Sequence, residues 1–296
     1  MILAADIGGT KIAVGTVDPD CQRVADLELY PTPSHDGDDA VAVVGAALAR
    51  RRTSGCLAVA ISAAGVIDST TGRVLSATSS LTGWAGRPLG DELAEIVGLP
   101  VFVLGDGNCF GLGLAAAYGV SDLVALVVGT GIGGSVVVDG FPVLGAGHAA
   151  GHLGHMPVAA ALGLPCPCGG TGHLEAIASG AAILAAYRRS GGDPSVPSTR
   201  ELAARTDDAI AGQVFQTAGA ALGEVAAGVV SAVHPQLVVV AGSVTAAGTP
   251  WASSLRTAYS QALMPALRDT PLVLSTAGPV IALCGAARYA LRRLAA

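Results

Sequence analysis

Two glycine-rich turns between apolar strands have the residue types that hold phosphate groups. The first spans 6–11, with the sequence Asp-Ile-Gly-Gly-Thr-Lys, and the second spans 129–134, with the sequence Gly-Thr-Gly-Ile-Gly-Gly. Glycines let the backbone approach an anion with its N–H groups exposed, while Thr10 and Lys11 add a hydroxyl and a positive charge. Asp6 could hold Mg²⁺ directly or through water. Either turn alone could be an ordinary hairpin, but the pair favours two hairpins closing on one nucleotide.

A carboxylate at Asp106 follows the apolar segment Val101 to Leu104. At the end of a buried strand this side chain would project into a cleft and could accept the proton of an attacking hydroxyl, as phosphoryl transfer requires. The same position suits capping of the next helix by Asp106 or Asn108. Taken alone, this motif favours the capping interpretation.

Histidines and cysteines cluster between 148 and 173, where four of the six histidines lie. Two thiolates and two imidazoles make a tetrahedral zinc set. The expected ligands of a structural zinc ion are His155, Cys166, Cys168 and His173. His152 is a competing ligand and His148 a weaker one. The alternative is a free cysteine pair beside unrelated histidines.

Apolar patterns along the chain predict the elements that must position these residues. Strands are expected within 2–17, 23–30, 57–61, 101–104, 123–128, 134–138, 237–240 and 272–275. Helices are expected within 38–51, 89–97, 109–118, 176–190, 199–205, 208–233, 255–267 and 281–294. This alternation predicts an α/β protein with a mixed sheet. The strand–turn–strand units at 2–17 and 123–138 are similar, which suggests two halves of related design, and the long loop 145–175 is of a kind that is functional or held by a metal.

Composition excludes several classes of protein. Of 296 residues, 51% are hydrophobic and 13% are charged, so the chain can bury a large core and is not expected to be disordered. The net charge is −6 without a basic face, which argues against nucleic acid as a partner. No apolar run reaches the roughly 18 residues that span a bilayer, and no signal segment opens the sequence. We therefore expect a cytoplasmic protein with no membrane partner and no disulfide framework.

Together these motifs resemble the ROK group of repressors, open reading frames and sugar kinases, within the sugar kinase–actin–Hsp70 fold. The resemblance covers nearly the whole chain. It implies a two-lobed, actin-like (ribonuclease H-like) α/β ATPase fold with mixed sheets and a central cleft. The expected lobes are 1–119 plus 282–296, and 120–281 with a zinc loop at 145–175. Because family members tend to dimerise, a homodimer is expected.

The resemblance assigns roles to particular positions. Residues 105–108 match the Asn-Asp-Gly-Asn motif, which makes Asp106 the expected general base. Residues 151–155 match a Gly-Glu-x-Gly-His motif, 166–175 match a Cys-x-Cys-Gly-x-x-Gly-Cys-x-Glu zinc signature, and 240–243 resemble an adenosine-side glycine turn. The implied nucleotide-binding residues are Asp6, Gly8, Gly9, Thr10, Lys11, Thr130, Gly131, Gly133, Gly134 and Gly242. The implied sugar-binding residues are Gly65, Ser80, Gly105, Asp106, His152, His155 and Glu175.

Four positions depart from the family pattern. His173 replaces the third signature cysteine, Gly105 and His152 replace a sugar-contacting Asn and Glu, and Ser80 replaces a further Asn. A site built to bind a hydroxyl rejects an analogue that leaves its partners unpaired. The pattern therefore predicts an ATP- and Mg²⁺-dependent kinase acting on the 6-hydroxyl of a glucose-like hexose or an amino-hexose such as 3-amino-3-deoxyglucose (kanosamine). The alternative is a plain glucose kinase with a compensated pocket.

Two other functions remain open at this point. One is a non-catalytic sugar-binding regulator, although the chain starts directly at the first strand, without the DNA-binding domain of the repressors. The other is a zinc-dependent interaction protein with vestigial catalysis. An acetate-type kinase is less favoured, because the zinc signature belongs to the sugar group.

Overall fold

The computed structural model describes residues 1–33, 36–77, 81–278 and 280–295, and these form two compact units. The first unit contains Met1–Ser121, Val136–Gly151 and Gly278–Ala296, and the second contains Asp122–Ser135 and His152–Ala277. The expected lobes differ from these units over 120–121, 136–151 and 278–281, which group with the first unit. The lobe boundaries therefore stay a prediction.

Strands and helices alternate along the chain. The strands are β1 (Ile2–Ile7), β2 (Lys11–Val17), β3 (Val24–Pro31), β4 (Ala58–Ala63), β5 (Val66–Asp68), β6 (Arg73–Ser76), β7 (Val101–Gly105), β8 (Leu123–Val128), β9 (Ile132–Val138), β10 (Phe141–Pro142), β11 (Leu237–Ala241) and β12 (Leu272–Leu274). The helices are α1 (Gly37–Arg51), α2 (Leu89–Val97), α3 (Asp106–Tyr118), α4 (Glu175–Ala178), α5 (Gly180–Arg189), α6 (Thr199–Ala203), α7 (Ala209–Val233), α8 (Thr249–Ala262) and α9 (Val280–Leu294). This is the α/β pattern that the sequence predicts.

The first sheet has the strand order β3-β2-β1-β4-β7. Strands β1, β2 and β3 form an antiparallel meander, whereas β1, β4 and β7 run parallel to one another. Strands β1 and β4 are almost entirely buried on both faces, as continuous apolar runs in parallel sheets require. Helix α1 packs on β1 and β2, and α9 packs on β1, β4 and β7.

The second sheet has the order β10-β9-β8-β11-β12, with β8, β11 and β12 parallel. In the second unit α7 packs along α8. Within the described residues, α7 is the helix long and apolar enough to cross a membrane by length and composition, and 61% of its apolar stretch is buried inside the protein. That burial is the environment of a core helix.

One predicted helix is divided in the structure. The segment 176–190 forms α4 and α5 because Ser179 takes an extended ψ of 157° between them. Its hydroxyl accepts the N–H of Ala182 at 3.1 Å and so caps α5. A further difference is the hairpin formed by β5 and β6, which the sequence analysis did not predict.

The start of α8 also differs from the prediction, which placed it at Leu255. The helix begins at Thr249, with Pro250 in its first turn, where a missing N–H costs no hydrogen bond. It ends at Ala262, and a short 3₁₀ turn, Pro265–Leu267, follows it.

Helices α3 and α9 approach so closely that only glycine fits at the crossing. A Cβ on Gly285 would lie 1.8 Å from the carbonyl oxygen of Cys109, and one on Gly113 would lie 2.0 Å from that of Ile281. The crossing places the first turn of α3 against a rigid neighbour.

We expect Gly285→Ala to lower the free energy of unfolding by about 1–3 kcal/mol, because the added methyl forces the two helices apart. The control is Gly228→Ala in α7, where a Cβ meets no atom within 4 Å. That control should be stabilising by about 0.5–1 kcal/mol, since alanine is the better helix former. Urea unfolding of both variants measures the difference, and equal stabilities would contradict the close crossing.

Candidate active site and metal cluster

The first glycine turn is held by its own backbone and by Thr32. The N–H of Gly8 donates to the Lys11 carbonyl at 3.1 Å. The Thr32 hydroxyl donates to the Gly8 carbonyl at 2.6 Å, and its N–H donates to the Thr10 carbonyl at 3.0 Å. Gly9, Thr10 and Lys11 are exposed. The turn is therefore fixed while its hydroxyl and ammonium groups face solvent, which fits a phosphate ligand.

Asp6 is mostly buried beside this turn and has a perturbed acidity. The pKa of Asp6 is raised from 3.8 to about 6, mainly by burial and to a smaller extent by the nearby Asp106 carboxylate. The Ser62 hydroxyl, which donates to Asp6 Oδ1 at 2.5 Å, and the Lys11 ammonium both act in the opposite direction. Two interacting carboxylates form a donor set that fits Mg²⁺, whose preferred ligands are oxygens.

Asp106 is exposed and is the first residue of α3, three residues earlier than the helix start predicted from the sequence. The helix N-cap is Gly105, so neither Asp106 nor Asn108 caps it with a side chain. The Asp106 carboxylate instead accepts the N–H of Gly107 at 2.7 Å. The positive end of the helix dipole favours the ionised form of a carboxylate at this position.

Gly65 and Gly105, two of the expected sugar-binding positions, lie against each other in the first unit. Gly65 has φ of 109°, and a Cβ there would lie 2.5 Å from the Ser76 carbonyl oxygen, so this residue must be glycine. Gly105 has an ordinary φ of −60°, and a Cβ there would meet the Gly65 carbonyl at 3.5 Å. The backbone would thus accept a side chain at 105. Ser80 lies outside the described residues.

The second glycine turn, between β8 and β9, is joined to α4 and α5. The N–H of Ile132 donates to Glu175 Oε2 at 2.6 Å, and the N–H of Gly180 donates to the Gly129 carbonyl at 2.8 Å. Thr130 and Gly133 are exposed, whereas Gly131 and Gly134 are partly buried. The turn is therefore fixed at both ends.

Gly242 ends β11 beside the same turn. Its φ is 100°, and a Cβ there would lie 2.3 Å from the carbonyl oxygen of Val128, the last residue of β8. Only glycine allows this approach. The backbone that follows β11 therefore lies directly against the end of β8.

A metal could be held by the cluster predicted from the sequence. The ligand atoms of His155, Cys166, Cys168 and His173 all lie within 4.8 Å of one another. Cys166 Sγ lies 3.6 Å from His155 Nδ1, and Cys168 Sγ lies 3.2 Å from His173 Nδ1. Two sulfur and two nitrogen donors at such separations fit a tetrahedral Zn²⁺. Burial raises the pKa of the Cys166 thiol, so metal binding would have to displace its proton.

Backbone pairing folds the loop around this cluster. An isolated bridge pairs Pro157 with His173, and another pairs Pro165 with Thr171. The N–H of Leu174 donates to the Met156 carbonyl at 2.9 Å. The contacts of 156–157 with 173–174 bring the two sides of the loop together.

The two competing histidines are not among the four clustered residues. His148 belongs to the first unit, where its Nε2 lies 3.3 Å from Asp68 Oδ1 and its Nδ1 lies 3.4 Å from the Ser69 hydroxyl. His152 is exposed, and its ring stacks on that of His155 with centroids 6.3 Å apart. Neither belongs to the group of four ligands.

Two supporting hydroxyls, those of Ser62 and Thr32, were not predicted from the sequence. The signal for Ser62 was present, because it is the one polar residue in the otherwise apolar strand β4. Thr32 follows β3 and gave no signal of its own.

The fold is that of sugar kinases with actin-like architecture, as the sequence analysis predicted. The structure superimposes on a ROK family glucokinase from Streptomyces griseus, solved in complex with glucose and AMPPNP, with a TM-score of 0.80, 27% identity and coverage of 98% of this chain and 99% of that one.

The chain belongs to the ROK family, whose model matches residues 2–293. A glucokinase from Thermotoga maritima is 30% identical over 294 residues, which cover 93% of this chain and 92% of the relative. An N-acetylmannosamine kinase from Salmonella newport is 37% identical over 195 residues, which cover 63% and 64%. The family resemblance noted in the sequence is confirmed.

The raised pKa of Asp6 makes stability depend on pH. Between the unfolded pKa of 3.8 and the folded value of about 6, the folded chain keeps a proton that the unfolded chain releases. The contribution of Asp6 to stability is therefore complete below the unfolded pKa and is lost as pH rises through the folded pKa.

We expect Asp6→Asn to gain stability relative to the wild type across this window, reaching about 3 kcal/mol at neutral pH without added Mg²⁺. Urea unfolding of both proteins at several pH values from 4 to 7 measures the effect. Asp91→Asn, which changes an exposed aspartate of α2, is the matched control and should follow the wild type. A stability difference for Asp6→Asn that does not vary with pH would rule out this assignment.

Proposed function

We propose that this chain is an ATP-dependent sugar kinase that phosphorylates the 6-hydroxyl of a hexose or amino-hexose. The observation that supports it most is the exposed carboxylate of Asp106 at the first turn of α3, close enough to Asp6 for their charges to interact. In this arrangement Asp6 can bind a metal ion while Asp106 accepts a proton. The membership of the chain in the ROK family supports the same function.

On the nucleotide side, the two glycine turns bind phosphate groups with backbone N–H donors, and Lys11 adds charge. ATP with Mg²⁺ supplies the transferable phosphoryl group and neutralises its oxygens when bound. Asp6, held by Ser62, orients the metal ion directly or through water. Gly242 leaves room for the adenosine.

On the sugar side, Asp106 orients the 6-hydroxyl and takes its proton as the oxygen attacks the γ-phosphorus. We propose that His155 and Glu175 bind sugar hydroxyls, and that a structural Zn²⁺ held by His155, Cys166, Cys168 and His173 fixes the loop that carries them. Closing the site against water would limit ATP hydrolysis.

The identity of the sugar depends on Gly105 and His152. Because a side chain at 105 would make only ordinary contacts, its absence leaves space and removes an amide beside Asp106. Relatives include enzymes named for glucose and for N-acetylmannosamine. We propose an amino sugar as the substrate, with N-acetylmannosamine and kanosamine as the candidates to test against glucose.

We expect Asp106→Asn to lower kcat by about 100- to 10,000-fold, the usual contribution of a general base, with little change in KM for ATP. Asp91→Asn is the matched control in the same unit and should keep wild-type turnover. A coupled assay of ADP release measures both, and wild-type kcat in the Asp106 variant would remove it as the base.

The sugar assignment predicts a change of preference in Gly105→Asn. The new amide refills the space beside Asp106, so the ratio of kcat/KM for glucose to that for the preferred amino sugar should rise about tenfold or more. Gly119→Asn is the control, because Gly119 has φ of 68°, which asparagine tolerates, and no atom lies within 4 Å of its Cβ position.

The measurement is turnover over a panel of glucose, mannose, glucosamine, N-acetylmannosamine and kanosamine. Strong wild-type preference for glucose would contradict the amino-sugar assignment. Sugar binding without ATP turnover on any member of the panel would favour the non-catalytic regulator.

A further inference from the structure

We infer that Glu175 is a positioning residue that couples the metal cluster to the second glycine turn, so that occupancy of the cluster sets the affinity of this turn for nucleotide phosphate. The inference rests on the proposed function, because it takes residues 129–134 as a phosphate-binding turn. All the residues that carry it lie in the second unit.

The first contact is made by the Glu175 carboxylate. Its Oε2 accepts the N–H of Ile132 at 2.6 Å, a length typical of a charge-assisted hydrogen bond. A Cβ on Gly131 would lie 2.7 Å from the same oxygen. The carboxylate therefore lies directly against the backbone of the turn, and any side chain at 131 would displace it.

The second contact is made by Gly154, which precedes the metal ligand His155. A Cβ on Gly154 would lie 2.2 Å from the carbonyl oxygen of Ile132. Glu175 follows the ligand His173 by two positions. The N–H of Ile132 is therefore bound by Glu175, which is close in sequence to His173. The carbonyl of Ile132 lies against Gly154, which is adjacent in sequence to His155.

The other end of the turn is fixed by the same segment of chain. Gly180 donates its N–H to the Gly129 carbonyl at 2.8 Å, and the Thr199 hydroxyl donates to the Gly180 carbonyl at 2.6 Å. The segment from 173 to 180 therefore begins at a metal ligand and holds both ends of the turn.

A metal ion would join the two loop segments that carry its ligands. Residues 155 and 173 come from opposite sides of the loop, paired by few backbone hydrogen bonds, among them Leu174 N–H to the Met156 carbonyl at 2.9 Å. Four bonds to one ion would lock these segments, and with them Gly154 and Glu175. Without the ion, opening of the loop would free the N–H of Ile132 to exchange with solvent.

A different mechanism predicts the opposite result. If Glu175 merely occupied an anion position on the turn, its negative charge would repel phosphate, and removing it would tighten ATP binding. The positioning role predicts weaker ATP binding and a more mobile turn.

The test measures amide hydrogen exchange in peptides covering 129–134, by mass spectrometry, and the Kd for ATP, by calorimetry. We expect Glu175→Ala and Gly131→Ala to speed exchange and to weaken ATP binding about 10- to 100-fold, the range for a hydrogen bond to a charged group. Glu175→Gln keeps an acceptor oxygen and should be affected less.

Two matched controls accompany these variants. Glu224→Ala removes an exposed glutamate of α7, and Gly228→Ala adds a methyl in the same helix where no atom lies within 4 Å. Both should leave exchange at 129–134 unchanged. Zinc content is measured for every variant. The exchange rates and the Kd for ATP of the Glu175 variants are then compared with those of the wild type only where zinc is retained.

Removal of zinc by a chelator provides the second arm. It should speed exchange at 129–134 in the wild type, add little in Glu175→Ala, and be reversed by added Zn²⁺. If the stripped protein unfolds, as circular dichroism would reveal, the zinc-loaded variants alone decide the outcome.

Unchanged exchange and unchanged ATP binding in Glu175→Ala would overturn the coupling, and so would tighter ATP binding. Wild-type protein that binds no ATP would overturn the proposed function, together with any statement about phosphate affinity. The two failures are therefore distinguishable.

Discussion

Parallel strand register is the constraint on which the chemistry of the first unit depends. In β1 and β4 the register pairs Asp6 directly with Ser62, and in β4 and β7 it pairs Ala63 with Gly105, the residue before Asp106. Ligands of open α/β sheets bind at the carboxyl ends of the strands. Two carboxylates and a hydroxyl therefore meet at one edge because three parallel strands end together, and a shift of register by one residue would turn their side chains to the other face.

In the second unit, parallel strands again end together, but their ends carry backbone groups in place of carboxylates. Its parallel strands β8 and β11 are in register up to Val127 and Ala241, and each then runs into a glycine, Gly129 shortly after β8 and Gly242 directly after β11. The close approach of Gly242 to the Val128 carbonyl excludes a side chain at 242 and leaves backbone N–H groups as the available donors. The likeness of the two strand–turn–strand units, noted in the sequence, thus extends to the sheets, where a meander again leads into parallel strands.

Local signals were readable from the sequence, whereas partners distant along the chain were not. The bounds of α2 were predicted to the residue, because apolar periodicity and a following glycine are local. The division at Ser179 was missed because a serine inside an apolar pattern fits a helix interior as well as a cap. The bond between Glu175 and Ile132 joins residues 43 positions apart, and no spacing rule predicts it. The cluster of His155, Cys166, Cys168 and His173 was predictable from residue type, since cysteine and histidine rarely occur so close together in sequence.

The replacement of a cysteine by His173 is consistent with the position of Glu175. Zn²⁺ held by two thiolates and two neutral imidazoles carries no net charge, whereas a third thiolate would leave the cluster negative. Glu175 lies close enough for its charge to raise the pKa of the Cys166 thiol further, after the larger effect of burial. A negative cluster would repel this carboxylate, which accepts the N–H of Ile132. In the proposed kinase, a neutral cluster would let the carboxylate remain beside the turn and would spare bound phosphates a further negative charge.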